Sequence, residues 1–279
     1  MVTIRCLIDD KTLDGAIFKA EHGVAFAIET PTGRILFDTG QSGDVLVHNA
    51  AQFRLDLNQL DALALSHAHY DHTGGLGIFL QYSRPGLPLY AHPDLFRERY
   101  AIKDGQIRSI GMRMAQDELA KHVILNLSTE PSQILPGVWT TGEITTRTEF
   151  EGRSPHHYIQ IDKDMQPDPY RDDMSLILET QSGLLLLCGC CHAGLLNTLA
   201  HVRNVFNKDI IAIVGGAHLA NVDAETLEYT IPILRGANTR ETPYLYLNHC
   251  TGERALVAFS QAFGSKVRSC PAGTVLMFT

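Results

Sequence analysis

The sequence predicts a layered α/β fold in which two mixed sheets pack face to face and helices cover the outside. Short apolar runs rich in strand-forming residues alternate with helix-like segments along the 279 residues, as in layered α/β proteins. The order of these runs also repeats after about 150 residues. A duplicated unit of this kind predicts two similar halves, each built on one sheet.

The repeat is clearest where strands and turns can be aligned. Residues 25–40, AFAIETPTGRILFDTG, align without a gap on residues 175–190, SLILETQSGLLLLCGC, and each segment reads as strand, Thr-x-x-Gly turn and strand. Farther along, LDALALSHAH falls opposite DIIAIVGGAH, and LPLYAH falls opposite TPYLYLNH. In layered α/β proteins ligands bind where strands end. We therefore expect the polar ends of these strands to meet at one rim.

Composition and charge limit the functions open to this chain. With 44% hydrophobic and 19% charged residues it can bury a sizeable core, and we expect a single domain over residues 1–279. A net charge of -8 argues against a nucleic-acid partner, which needs basic surface. No stretch approaches the roughly 20 apolar residues of a membrane span, so we expect no membrane partner. Six cysteines, three of them in CGCC, favour reduced thiols and a cytoplasmic location.

Residues 97–173 are less regular, and we interpret them as a lid or insert between the halves. Residues 151–173, EGRSPHHYIQIDKDMQPDPYRDD, read as a long loop. The preceding stretch concentrates basic side chains on an acidic chain: Arg97, Arg99, Lys103, Arg108 and Arg113. One interpretation is a solvated helix face. The other is that some of these arginines line the site and hold an anionic substrate.

Residues 66–75, SHAHYDHTGG, directly follow the apolar run LDALAL. His67 and His69 are two apart, so in an extended chain both point to one side, and neutral imidazoles are common zinc or iron ligands. Asp71 and His72 can supply a second ion if the chain turns into a helix, which TGG allows. Four ionisable groups so close together are costly to bury unless a cation offsets their desolvation. The H-x-H-x-D-H spacing therefore predicts a dinuclear metal site.

This motif resembles the metal-binding motif of the metallo-β-lactamase superfamily, and the likeness covers nearly the whole chain. Asp38, in LFDTG, matches the family's early aspartate. The resemblance implies that Asp38 lies behind the ligands and supports residues 66–75, which we call the histidine loop. The superfamily has a four-layer αββα sandwich built from two similar halves. The resemblance implies the same sandwich here, in agreement with the repeat.

The later motifs depart from the superfamily's common pattern. LLLLCGCCHAG stands where the resemblance places a bridging aspartate, with Cys190 in its place and His192 two residues on. Thiolate and imidazole both bind zinc, and we favour His192 with Cys190 as its alternative. NHCTG supplies His249 at a strand end, resembling the family's last ligand.

The sequence leaves two further roles in the site undecided. Where the usual third histidine falls, the chain has YRDDMSL, so Asp172 or Asp173 can take that role, with His156 and His157 as rivals. GGAHL supplies His218, which we interpret as a ligand or a substrate contact. The predicted metal ligands are thus His67, His69, Asp71, His72, His192 and His249, with Asp173 and Cys190 as further alternatives.

The combination of GCCHAG, GGAHL and NHCTG resembles one branch of the superfamily. That branch is named for 7,8-dihydropterin-6-methyl-4-(β-D-ribofuranosyl)aminobenzene 5'-phosphate synthase, and its members are widely described as metal-dependent hydrolases. The resemblance implies two divalent ions, with zinc first and iron or manganese as alternatives. Such ions lower the pKa of a bound water toward roughly 7 and so provide a hydroxide nucleophile. Asp71 would orient this hydroxide, and His218 would stabilise developing charge or protonate the leaving group.

We therefore expect a metal-dependent hydrolase, or a phosphoryl or ribosyl-phosphate transferase. Its substrate would be a small anionic molecule, phosphorylated or pterin-like, and the protein can form a homo-oligomer. The alternative from another class is a redox or sensor protein that holds di-iron or a single metal ion on the same scaffold. His22, His48, His122 and His201 lack a strand-end setting or a partner, and we interpret them as surface or satisfied interior groups.

Overall fold

The computed structural model describes residues 1–145, 147–148, 150–236 and 241–279. The strands, in chain order, are β1 (Val2–Ile8), β2 (Ala25–Thr30), β3 (Gly33–Phe37), β4 (Ala62–Ala64), β5 (Leu87–Ala91), β6 (Arg99–Lys103), β7 (Gln106–Ser109), β8 (Val123–Leu127), β9 (Gln133–Leu135), β10 (Val138–Thr140), β11 (His157–Ile161), β12 (Asp164–Pro167), β13 (Ser175–Glu179), β14 (Leu184–Cys188), β15 (Ile210–Gly215), β16 (Tyr244–Leu247), β17 (Val267–Ser269) and β18 (Val275–Phe278). The helices are α1 (Asp44–Gln52), α2 (Tyr70–Thr73), α3 (Leu76–Tyr82), α4 (Gln116–Leu119), α5 (Leu195–Phe206), α6 (Ala224–Arg235) and α7 (Glu253–Phe263). Among these described helices, none has the length and apolar character needed to cross a bilayer.

Two seven-stranded sheets form the centre of the described structure. Their strand orders are β18-β1-β2-β3-β4-β5-β8 and β17-β16-β15-β14-β13-β10-β9. In each sheet an antiparallel hairpin, β2 with β3 or β13 with β14, leads into parallel strands. The parallel neighbours are β4 and β5 in the first sheet and β15 and β16 in the second. The predicted pair of similar halves is confirmed.

The turns of the two equivalent hairpins match in detail. The Thr30 hydroxyl donates to the Gly33 carbonyl oxygen at 3.1 Å, and the Thr180 hydroxyl donates to the Gly183 carbonyl oxygen at 2.8 Å. Gly33 and Gly183 have φ angles of 150° and 144°, a region that favours glycine. The Thr-x-x-Gly pattern therefore recurs in the sequence because the same turn is built twice.

Three clusters of buried apolar side chains separate four layers. The middle cluster joins the sheets, with Phe26 and Phe37 of the first packed against Leu185 and Leu187 of the second. An outer cluster lies beneath α1 and α3 on one side, and another lies beneath α5, α6 and α7 on the other. Strand β14 is buried at every position, since both of its faces are covered. The αββα sandwich predicted for the chain is confirmed.

Residues 97–173 are divided among several parts of the fold. Strand β8 joins the first central sheet, and β9 and β10 join the second. The others form a small antiparallel sheet ordered β12-β11-β6-β7. Three of the five basic residues, Arg99, Lys103 and Arg108, lie in the β6–β7 hairpin, and no helix covers residues 97–113, so the helix-face interpretation is wrong. The segment interpreted as a long loop contains β11 and β12.

Candidate metal centre

Most of the residues predicted to form a site follow strands that end at the same edge of the sandwich. Asp38 and His67 follow the parallel strands β3 and β4. Cys190, His218 and His249 follow β14, β15 and β16, which are also parallel. Because the carboxyl ends of parallel strands lie at one edge, the loops that carry these side chains gather there.

His67, His69 and His192 form a buried histidine triad. Their ligand atoms all lie within 4.8 Å of one another, and the residues are only 1%, 5% and 3% exposed. Nε2 of His67, Nε2 of His69 and both ring nitrogens of His192 lack a hydrogen-bond partner among the described residues. Burial lowers the pKa of all three imidazoles well below the ordinary value, so they are neutral. Converging, neutral imidazoles whose inward nitrogens have no hydrogen-bond partner among the described residues fit a divalent ion such as zinc or iron.

Asp71, His72, His249 and Cys190 form a second group, which we call the Asp71 group. Asp71 Oδ2 lies 3.3 Å from His249 Nε2 and 3.7 Å from His72 Nε2. His72 Nε2 is also 3.1 Å from Cys190 Sγ. Although burial opposes it, the neighbouring imidazoles, that of His72 foremost, lower the pKa of Asp71 and keep it ionised. This group supplies carboxylate, imidazole and thiol ligands for a cation.

The two groups adjoin each other. The ring centroids of His67 and His72 are 4.1 Å apart, and the ligand atoms of His67, His72 and Cys190 lie within 4.8 Å of one another. The structure therefore brings together all six residues predicted as ligands. Cys190, the alternative to His192, lies in the same centre as His192.

Asp38 supports this arrangement from behind the ligand atoms. Its fully buried carboxylate accepts hydrogen bonds from the Ser66 amide and the Ser66 hydroxyl, each at 2.7 Å. Asp38 Oδ2 also lies 2.7 Å from His72 Nδ1, which leaves His72 Nε2 directed to the Asp71 group. A carboxylate behind a histidine fixes its tautomer and raises its basicity as a ligand.

Asp172 and Asp173 support the two ligand-bearing loops. Asp172 Oδ2 accepts from the Ala68 amide at 2.8 Å, and Asp173 Oδ2 accepts from the Ala193 amide at 2.7 Å. Burial raises the pKa of these carboxyl groups to about 7 and about 6. The other oxygen of Asp172 lies 2.6 Å from an Arg99 nitrogen, so Asp172 joins Arg99 to the histidine loop, and its ligand role stays a prediction. A ligand role for Asp173, whose Oδ1 is buried, stays a prediction.

Two further histidines border the triad. The ring centroid of His218 is 4.1 Å from that of His192, and its φ of 49° turns the chain at the end of β15. His157 lies 5.1 Å from His69 between ring centroids, and the Tyr170 hydroxyl is 2.8 Å from its Nδ1. Burial lowers the pKa of His157 to about 4. Its neighbour His156 is exposed, so only one of the two rivals reaches the triad.

Two residues that the sequence interpretation missed also reach the centre. His22, which we interpreted as an uninvolved histidine, lies 3.4 Å from Asp71, between His22 Nε2 and Asp71 Oδ2. Asp10 contacts both His22 and His249 through Oδ1. Asp10 comes two residues after β1, so the strand-end argument applied elsewhere could have found it. No comparable sequence signal singles out His22.

A cavity of about 290 Å³ opens onto both groups, and a second of about 430 Å³ shares His192 and His218 with it. Arg108 lines the first cavity, with its guanidinium carbon 5.4 Å from the centre of the Tyr70 ring, and Lys103 lines the second. Arg99, by contrast, is buried among carboxylates. In the basic stretch, Arg108 and Lys103 thus line the cavities, whereas Arg99 lies in the interior.

Comparison with known proteins agrees with the fold. The family model of the metallo-beta-lactamase superfamily matches residues 19–157. The chain belongs to the metallo-beta-lactamase superfamily. Members of this superfamily typically bind metal ions, and most are hydrolases.

Three similar proteins are particularly informative. The chain is 27% identical over 288 residues to the 7,8-dihydropterin-6-methyl-4-(beta-D-ribofuranosyl)-aminobenzene-5'-phosphate synthase of Methanocaldococcus jannaschii, covering 99% of this chain and 97% of that protein. It is 30% identical to an uncharacterized protein of the same organism, covering 92% and 94% of the two chains. It also resembles the crystal structure of a metal-dependent hydrolase of the beta-lactamase superfamily, with a TM-score of 0.85, 26% identity and full coverage of both chains. These similarities support a family of metal-dependent hydrolases and transferases.

Proposed function

We propose that the protein is a metal-dependent hydrolase, or a phosphoryl or ribosyl-phosphate transferase, acting on a small phosphorylated or pterin-like substrate. The observation that carries the proposal is the pair of adjoining ligand groups at one cavity: the histidine triad and the Asp71 group. Arg108 on the same cavity offers a cationic contact for an anionic substrate. The named synthase and hydrolase among the similar proteins support the same reaction classes.

The triad would hold one divalent ion and the Asp71 group the other, with zinc as the first choice and iron or manganese as alternatives. Such ions, when bound, supply Lewis acidity and lower the pKa of a coordinated water to about 7. The Cys190 thiol in the Asp71 group favours a soft ion such as zinc over manganese.

The chain's own residues supply orientation and hydrogen bonds. Asp71, held ionised, is suited to accept a hydrogen bond from the attacking water and so orient it. Tyr170 can donate to Nδ1 of His157, in which case the neutral ring carries its proton on Nε2. That N–H can stabilise negative charge developing on the attacked group. His218, beside His192, is the alternative residue for this role.

The experiment combines metal analysis with a substrate panel. Protein purified without added metal is analysed for zinc, iron and manganese, and is assayed on phosphomonoesters, phosphodiesters and 5-phosphoribosyl donors. His69→Ala should remove bound metal and lower kcat/KM by at least about 100-fold, because it deletes one of three converging imidazoles.

The matched control is His122→Ala. His122 lies on the surface, 3.7 Å from Glu118, and its loss should leave metal content and turnover unchanged. Full activity in His69→Ala, or turnover of no member of the panel by the metal-loaded wild type, would refute the proposal.

A second candidate function is a redox or sensor protein on the same scaffold. It is favoured by one specific observation, that two thiols and an imidazole, from Cys190, Cys250 and His249, have ligand atoms within 4.8 Å of one another. Such ligands suit redox-active iron as well as zinc. An ultraviolet-visible spectrum typical of di-iron in protein that turns over no substrate would favour this function over hydrolysis.

A further inference from the structure

We propose that His22 is a direct ligand of the ion held by the Asp71 group, and that Asp10 is the carboxylate that positions both His22 and His249. The inference rests on the metal centre proposed above, and it extends that centre to an N-terminal segment outside the H-x-H-x-D-H motif.

The first argument is distance. His22 Nε2 lies 3.4 Å from Asp71 Oδ2, nearly the same as the 3.3 Å between His249 Nε2 and that oxygen. In a tetrahedral site with metal–ligand distances of about 2.1 Å, neighbouring ligand atoms are roughly 3.4 Å apart. The two imidazoles therefore flank the carboxylate at the spacing expected of ligands that share one ion.

The second argument is the support behind each ring. Histidines that bind metal through one nitrogen commonly donate from the other to a carboxylate. His72 has this arrangement, with Nδ1 at Asp38 and Nε2 toward Asp71. His22 and His249 repeat it, because their Nδ1 atoms lie 3.1 Å and 3.3 Å from Asp10 Oδ1. His22 thus has a carboxylate at Nδ1, as do His72 and His249, which are already predicted as ligands.

The third argument is the backbone at Gly23. Its φ is 131°, and a Cβ atom there would lie 2.1 Å from the carbonyl oxygen of Asp71. The Gly23 amide also donates to Asp10 Oδ1 at 3.2 Å. Only glycine lets the chain pass this close to Asp71, and the close passage is what brings His22 to the centre.

The ligand role differs from a simple hydrogen bond between His22 and Asp71 in one measurable respect, the number of imidazoles bound to the ion. The test uses the full chain loaded with Zn²⁺ alone. X-ray absorption at the zinc edge counts the imidazole ligands, and competition with a chromophoric chelator measures the affinity for each ion. The variants are His22→Ala, Asp10→Asn and His249→Ala.

We expect His22→Ala to lose one imidazole from the ion held by the Asp71 group and to lower the affinity for that ion by at least about 100-fold. Asp10→Asn should lower it by roughly 10–100-fold, the usual effect of removing a carboxylate behind a ligand. His48→Ala is the matched control, since His48 contacts the same N-terminal segment, at the Ile17 carbonyl oxygen, and should leave both measurements unchanged.

An unchanged imidazole count and affinity in His22→Ala, alongside a clear loss in His249→Ala, would overturn this inference while leaving the metal centre standing. No zinc bound by the wild type, or no effect of His249→Ala, would instead overturn the proposed centre itself and this inference with it.

Discussion

Asp38 connects Ser66 and the predicted ligand His72 through one carboxylate. It accepts two hydrogen bonds from Ser66 at the start of the histidine loop and lies 2.7 Å from Nδ1 of His72. Its φ of 60° is unusual for a residue other than glycine, although aspartate and asparagine tolerate it better than most. A residue that binds no ion directly therefore controls the orientation of one that is predicted to do so.

Asp38→Asn tests this role. The asparagine keeps the size and the backbone preference but cannot serve as a charged acceptor for Ser66 and His72 together. We expect zinc affinity to fall by roughly 10–100-fold, measured by chelator competition. Asp104→Asn, in the exposed β6–β7 turn at φ 51°, is the control and should bind zinc like the wild type. Affinity within about 2-fold of the wild type in Asp38→Asn would contradict the account.

Residues of the site could be predicted from the sequence where the ligands lie close together along the chain. His67, His69, Asp71 and His72 lie within six positions, so their joint chemistry could be inferred from the chain alone. His192 and Cys190 could be singled out only as competing alternatives, because their separation from His67 and His72 in space depends on how the halves pack. His22 was missed for the same reason, since its partner Asp71 lies in another loop.

At the level of secondary structure, the buried guanidinium of Arg99 links strand β6 to the histidine loop. Arg99 is only 1% exposed and lies 3.2 Å, 3.0 Å and 2.6 Å from carboxylate oxygens of Asp94, Asp168 and Asp172. Asp172 in turn accepts from the Ala68 amide, between the first two histidines of the triad. The small sheet and the histidine loop are thus joined through the guanidinium of Arg99.

Arg99→Leu should therefore be strongly destabilising, because it leaves Asp168 and Asp172 without their counter-charge in the interior and Asp94 paired with Arg97 alone. We expect the free energy of unfolding to fall by about 3–5 kcal/mol, measured by urea titration with circular dichroism. Arg97→Leu removes a partly exposed arginine that pairs with Asp94 at 2.7 Å, and should lose less than about 1 kcal/mol. Equal losses in the two variants would show that the buried network is not what stabilises this region.

The β6–β7 hairpin also shows why one element was predicted wrongly. The density of arginine and lysine suggested a solvated helix face, but residues 104 and 105 are Asp-Gly, a strong hairpin signal. Asp104 and Gly105 have φ angles of 51° and 76°, as such a turn requires. Turn chemistry was the better guide here, because charge says only that a surface is solvated and not which secondary structure carries it.

For the whole molecule, the repeat predicted the architecture because each half buries its own strands and builds the same Thr-x-x-Gly turn. The centre itself belongs to neither half alone: His67, His69, Asp71 and His72 come from the first, and Cys190, His192 and His249 come from the second. The strand-end argument could predict a shared rim, but the pairing of particular ligands requires the packed sandwich.

The most direct test of this shared centre is anomalous diffraction at the zinc edge from crystals of the zinc-loaded protein. The account predicts one peak among Nε2 of His67, Nε2 of His69 and a ring nitrogen of His192, and a second at Asp71 with His72 and His249. Peaks only on surface residues, or no peak between the two halves, would contradict it.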